Sequence, residues 1–302
     1  MSDPLTDVVT LLQPTARFSK LVEGAGNWRV DREGDGDPFY CAILKGECYF
    51  TINELPSVRV QAGDFMLIPA VHDFATTSSS STSDVFSTAR VKIGESHFRV
   101  GTETGQAEFC MQVGHCSFGY HDTKLILSLL PEQILVRGEL RLTRLVEMVA
   151  EESLSQRPAR SIVLERLLEL LLIEALRCGT SMTSIPSLVR GLTDERLATA
   201  LKVIHEAPEY PWTVERLSQE VALSRSAFFA RFNKKIGIPP MQYLHFWRMA
   251  LAKKLLSEQK LTVEQIAGKV GYGSLSAFSV AFSRSMGVPP SHYGKQKPLN
   301  HA

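Results

Sequence analysis

No run of 18 or more apolar residues occurs among the 302 residues, so nothing in the sequence reads as a bilayer-spanning helix. The richest stretch, Leu164 to Leu176, is interrupted by Glu165, Arg166, Glu169 and Glu174 and reads as a buried amphipathic helix. Cysteine is scarce and odd in number. Cys41, Cys48, Cys110, Cys116 and Cys178 are irregularly spaced and include no Cys-x-x-Cys pair, which suits a reducing cytosol rather than a disulfide framework. The start, Met1-Ser2-Asp3-Pro4 with Asp7, holds no basic stretch and no long apolar segment, so no signal peptide is expected. Excess charge of either sign is missing too, with 33 Lys+Arg against 32 Asp+Glu. With 44% hydrophobic residues, this composition excludes a disordered or collagen-like chain, and the length suits two domains.

The near-zero balance hides a division. From Arg190 onward there are 16 basic and 8 acidic side chains, a net of +8, which leaves −7 on the rest. A basic C-terminal part that meets a polyanion, attached to an acidic part that does not, is the physical reading of that split.

Organisation changes along the chain. Phe39 to Leu44, Cys48 to Ile52 and Phe65 to Ile68 are short apolar and aromatic runs bounded by Lys45-Gly46-Glu47, Gly63-Asp64 and Pro69. They predict the strands of a sandwich or barrel. Ser78 to Ser83 reads as a polar loop. From Glu139 the period is helical: Leu142, Leu145, Val146 and Val149 form one stripe, and Leu164, Leu167, Leu168, Leu171 and Leu172 another. The second stripe suggests self-association of the N-terminal part and its connector, or closure of that part's own core. Cys178 to Pro186 reads as a linker.

Beyond that linker the sequence repeats itself. Thr213-Val214-Glu215-Arg216-Leu217 returns as Thr262-Val263-Glu264-Gln265-Ile266. Ala227-Phe228, Phe232, Gly237, Pro239-Pro240 and Tyr243 return as Ala277-Phe278, Phe282, Gly287, Pro289-Pro290 and Tyr293, with one residue gained near Gly271-Tyr272-Gly273. Each copy reads as two short helices around a tight turn, with Thr213, Ser224, Thr262 and Ser274 as N-caps and the phenylalanines inside. Outward on the second helix of copy one lie Ser224, Arg225, Ser226, Phe229, Ala230, Arg231 and Asn233, followed by Lys234 and Lys235. Copy two offers Ser274, Leu275, Ser276, Ser279, Val280 and Ser283. Helix–turn–helix geometry presents such faces to the major groove of double-stranded DNA. Arg225 and Arg231 are candidates for guanine or phosphate, and Lys234 and Lys235 for phosphate or solvent. Phe229 reads either as a contact to a thymine methyl or as a side chain partly buried against the helix that follows copy one.

Residues Asp194 to Tyr293 resemble the DNA-binding domain of the AraC/XylS family of bacterial transcription regulators. The carriers are Ala222-Leu223-Ser224-Arg225-Ser226-Ala227-Phe228, Gly237-Ile238-Pro239-Pro240, Arg248-Met249-Ala250-Leu251-Ala252, Ile266 to Tyr272 and Gly287-Val288-Pro289-Pro290. The resemblance implies two helix–turn–helix units bridged by a long helix, here about 241–257, and RNA polymerase as a partner. The preceding part resembles the cupin-type sensor of one branch of that family, through Leu44-Lys45-Gly46-Glu47, Gly63-Asp64 to Pro69 with His72, and Leu129-Leu130-Pro131. Enzymatic cupins carry a His-x-His pair where Tyr40 and Cys41 stand here, so a cupin metal site is not expected. Tyr40 and His72 are the candidates for effector binding. Cys110, His115, Cys116 and His121 are the one metal-like cluster, read here as buried thiols and ordinary histidines rather than a zinc site.

The sequence thus predicts an α+β chain of two domains. A cupin-like β-barrel or sandwich spans 1–137, helical connectors suited to dimerisation span 138–186, and an all-α domain spans 187–297 with helix–turn–helix units at about 213–236 and 262–286. The expected function is a cytoplasmic, sequence-specific transcription regulator, an activator answering a small-molecule effector, without cofactor, membrane or enzymatic activity. The rivals are a cupin metal enzyme and a thiol or metal redox sensor joined to a DNA-binding tail.

Overall fold

A computed structural model describes residues 3–12, 14–33, 37–53, 55–70, 73–79, 90–118, 130, 132–178 and 188–293. Short runs rich in apolar, aromatic and β-branched residues make the strands: β1 (Pro14–Ala25), β2 (Arg29–Glu33), β3 (Phe39–Lys45), β4 (Glu47–Ile52), β5 (Val58–Gln61), β6 (Phe65–Ile68), β7 (Asp73–Thr77), β8 (Val91–Gly94), β9 (His97–Gly101), β10 (Phe109–Phe118) and β11 (Ile134–Val136). They form a sheet in the order β11-β6-β3-β10-β1-β9-β8 and a second in the order β2-β7-β4-β5. The turn from β3 to β4 requires Gly46, at φ 71°, because a Cβ there would stand 2.3 Å from the Glu108 carbonyl oxygen.

The two sheets share one apolar core. Trp28, Phe39, Cys41, Ile43, Cys48, Phe50, Met66, Phe74, Phe109, Met111 and Val113 are buried in it, with Trp28 on Phe109 and Phe39 on Phe74 in ring contact. Tyr40 and Ala42 point to the other face of β3, yet they too are buried. The cover there comes from α2 (Leu140–Leu154), packed on β3, and α3 (Arg160–Cys178), packed on β1, β6 and β11. Leu164, Leu167, Leu168, Leu171 and Leu172 are all 8% exposed or less, so this stripe closes the unit's own core. The stripe therefore gives no reason to expect self-association. The described helices of the connector expected over 138–186, α2 and α3, belong to the β-rich unit as far as Cys178.

The helical unit contains α4 (Leu188–Leu192), α5 (Glu195–Glu206), α6 (Val214–Glu220), α7 (Arg225–Ile236), α8 (Pro240–Glu258), α9 (Val263–Lys269), α10 (Leu275–Met286) and α11 (Pro290–Tyr293). The first helix of the chain, α1 (Pro4–Leu12), packs in this unit against α4, α5 and α8. Pro4, Val8 and Leu11 share one helical face and are buried there. A linear boundary at residue 137 assigns α1 to the β domain; its contacts lie with the helices. Among the described residues no helix is long and apolar enough to cross a membrane.

Candidate nucleic-acid interface

Each helix–turn–helix is built by local signals. Thr213 Oγ1 accepts the Arg216 N–H at 3.1 Å to start α6, and Ser224 Oγ accepts the Ala227 N–H at 3.2 Å to start α7. In the second copy Thr262 and Gln265 complete a reciprocal capping box at 3.2 and 3.0 Å, and Ser274 caps α10 at 3.2 Å. Gly237 and Gly287, both left-handed, end the two second helices. Inside, Phe228 meets Phe232 and Phe278 meets Phe282, each pair at 5.6 Å between ring centroids. The tight turns fall at Ala222 (φ 51°) and Gly271 (φ 79°), equivalent positions in the repeat.

Two arginines fasten the backbone around these helices, one at the first turn and one at the loop between α5 and α6. Arg196 of α5 donates to the carbonyls of Val221 and Ala222 at 3.2 and 2.8 Å. Arg248 of α8 donates to the carbonyls of Pro208 and Tyr210 at 2.7 and 3.0 Å, beside Gly271. His245, also on α8, lies 3.0 Å from Ser285 Oγ of α10 and 3.4 Å from the Tyr272 hydroxyl. Helix α8 is thus hydrogen-bonded to the loop that precedes copy one and to copy two.

The outward face of α7 is exposed at Arg225, Ser226, Phe229, Ala230, Asn233 and Lys234, with Lys235 half-buried. Phe229 is 42% exposed, so part of its ring is presented outward and part is covered. Ser224 is exposed as well, but its hydroxyl caps the helix. Arg231 stands apart from the rest. Its Nε donates to Asp194 at 2.7 Å, and Asp194 is the N-cap of α5. Burial opposes the charge of Asp194, but this bond and the Leu197 N–H outweigh it and hold the carboxyl below the usual carboxylate range. Arg231 joins α7 to α5 while its side chain stays half-exposed.

On α10, Leu275, Ser276 and Val280 are exposed, with Val280 at 67%, while Ser279 and Ser283 are half-buried and Ser274 caps the helix. Arg284 is exposed too, at the repeat position of Lys234. It escapes a reading confined to the serine-rich face, and the repeat offset alone would have located it. The face of α10 is therefore one of serines, two aliphatic side chains and a single cation.

Among the described residues the other sequence candidates do not converge on a site. His72 and His121 lie outside the described residues, as does the side chain of Cys116. Cys110 and His115 sit five residues apart on β10, roughly 16 Å along an extended strand, too far to share an ion. Tyr40 is fully buried and stacked on Phe65. Burial pushes the Cys41 thiol far up and also raises Cys48, which makes both poor thiolates. These residues do not fit a metal where enzymatic cupins hold one. Among the described residues, a cavity of about 530 Å3 opens instead on the smaller sheet, lined by Arg29, Asp31, Arg32, Glu33, Thr51 and Asp73.

Comparison with known proteins finds one family model for each unit, the first of which takes in α1 together with the β-rich part. The cupin family model matches residues 3–179, and a helix-turn-helix domain model matches 217–296. A putative AraC-like transcription regulator of Streptomyces lividans is 31% identical over 98% of this chain and 99% of its own length. The HTH-type transcriptional regulator AlkR of Acinetobacter baylyi is 31% identical over 91% of this chain and 93% of its own. The solved DNA-binding domain of AdpA, in complex with a target DNA, is 30% identical over 32% of this chain and 87% of its own, with a TM-score of 0.31. With a regulator matched end to end and both of its domains accounted for, the chain belongs to the AraC-like transcription regulators, a cupin-type unit joined to a helix-turn-helix DNA-binding domain.

Proposed function

We propose that the two copies read adjacent major-groove segments of one DNA duplex, with α7 as the stringent reader and α10 as the permissive one. The observation that carries this reading is the contrast between the two exposed faces on matched scaffolds. Arg225 and Asn233 offer the side chains that pair with guanine and adenine edges, and Phe229 suits a thymine methyl. Leu275, Val280 and the serines of α10 suit apolar and shape contacts. Lys234, Lys235 and Arg284 supply phosphate contacts. Randomised-site selection on the intact chain tests it: one half of the recovered site is sharply defined and the other loosely. Equal definition of both halves overturns the ranking.

The regulator acts without catalysis, as an activator that touches RNA polymerase and answers a small-molecule effector. The packed interior around Trp28, Phe50 and Phe109 favours an effector seat outside the barrel core. The charged cavity over β2, β4 and β7 suits a small polar molecule bearing both an anionic and a cationic group. Self-association uses the outer face of α3, where Ile162, Val163 and Leu170 are 58, 42 and 49% exposed.

A further inference from the structure

We infer that helix α1 is a working part of the DNA-binding unit, a brace whose docking holds the first recognition helix and the bridging helix in one geometry. The receptor face lies on α5 and α8. His205 of α5 has no exposed side-chain surface and stands between two partners from opposite ends of the sequence. Its Nδ1 is 3.3 Å from the Asp7 carboxylate of α1, and its Nε2 is 2.7 Å from the Tyr243 hydroxyl of α8. A neutral ring satisfies both contacts, with Nδ1–H donating to Asp7 and Nε2 accepting the Tyr243 O–H.

The contacts continue inward from that ring. His205 lies flat on Trp247 of α8, 3.5 Å between centroids at an interplanar angle of 9°. Tyr243 in turn packs edge-on against Phe232 of α7, at 5.9 Å. A single path of contacts therefore runs from α1 through α5 and α8 to the buried side of the recognition helix. Further along α8, Met249, Ala252 and Leu256 enter the core of the second copy. Val8, 1% exposed, and Leu11, 5% exposed, supply the apolar seal over the face.

The required occupant is specific: a short amphipathic helix with apolar residues at three, four and seven-residue spacing and one carboxylate aimed at a buried imidazole. Residues 4–12 meet that description. Removing them uncovers His205 and the apolar residues beneath, and frees α5 and α8 to shift against each other. Distance between two recognition helices fixed by one bridging helix is what a two-segment DNA site measures. The brace thus acts on the combined use of both copies.

This inference rests on the DNA-binding reading, and the test separates the two. Affinity is measured for the DNA site selected by the intact chain, using the intact chain, a chain lacking residues 2–12, and the full-length Val8→Asp variant. No binding by the intact chain removes the DNA-binding reading itself. With that control positive, the truncated chain and Val8→Asp are expected to bind the two-segment site at least tenfold less tightly. A synthetic peptide of residues 2–13, added in trans to the truncated chain, is expected to restore binding, and the same peptide carrying Val8→Asp is not. Binding by the truncated chain that equals or exceeds that of the intact one overturns the inference. So does a loss that the native peptide leaves unrepaired.

Discussion

Arg231 donates its guanidinium Nε to Asp194 at 2.7 Å, and the same carboxylate accepts the Leu197 N–H at 3.3 Å, so one buried acid both caps α5 and anchors α7. Asp194→Ala removes both contacts and is expected to destabilise the protein by about 1–2 kcal/mol in urea unfolding. Asp194→Asn keeps an N-cap and loses only the ion pair with the half-exposed arginine, for less than about 1 kcal/mol. Equal losses would show that the cap contributes nothing.

The two turn positions are expected to respond with opposite signs. Ala222 holds a left-handed conformation, at a cost of roughly 1–2 kcal/mol for a residue with a Cβ. Ala222→Gly relieves that strain and adds about 0.5–1 kcal/mol of chain entropy, for a net stabilisation below about 1 kcal/mol. Gly271→Ala meets the Arg248 guanidinium at 2.6 Å and the Glu209 Cα at 2.9 Å, and must displace the arginine that holds the loop at Pro208 and Tyr210. Thermal unfolding of both variants is expected to show a small rise for the first and a clear drop for the second.

Those caps and turns were legible in the sequence because they are local. Ser224 lies three residues from the N–H it caps, and the repeat spacing marks the second turn without any tertiary knowledge. The ion pair of Arg231 was not legible, because its partner, Asp194, is 37 residues away and outside the repeat. Docking of α1 was invisible for the same reason, since Asp7 and His205 are 198 residues apart. The α3 stripe left an interface and a closed core both open, because periodicity shows that a face is buried without showing what buries it.

Acidification is expected to loosen the helical unit. Burial lowers the pKa of His205 from its ordinary 6.5, although the Asp7 bond and charge pull the other way. His245 moves in the same direction, through burial and then the nearby Arg248. Facing His205 are Asp7 from α1 and Tyr243 from α8, while Glu206, Glu209 and Lys269 border the cavity that it lines. The unfolded chain therefore takes up protons first as the pH falls. The stability these rings contribute is fully present above about pH 6.5 and declines below it. Melting temperatures measured from pH 7.5 to 5 are expected to fall, and His205→Gln is expected to flatten part of that slope. A variant with an unchanged slope would place the titration elsewhere.

Self-association through α3 predicts that Leu170→Glu with Val163→Glu leaves the fold intact, since both side chains face outward. In sedimentation the variant is expected to run as a monomer where the parent runs as a larger species. Identical profiles would exclude this face.

The central claim is that one chain carries two matched helix–turn–helix frames with unequal reading faces. Its most direct test is randomised-site selection on two full-length double variants. Arg225→Ala with Ser226→Ala is expected to erase base preference in one half of the site, where an arginine to guanine pair discriminates by roughly 1–3 kcal/mol. Ser279→Ala with Ser283→Ala is expected to leave that preference in place and weaken binding far less. A greater loss of specificity from the second pair would contradict the account.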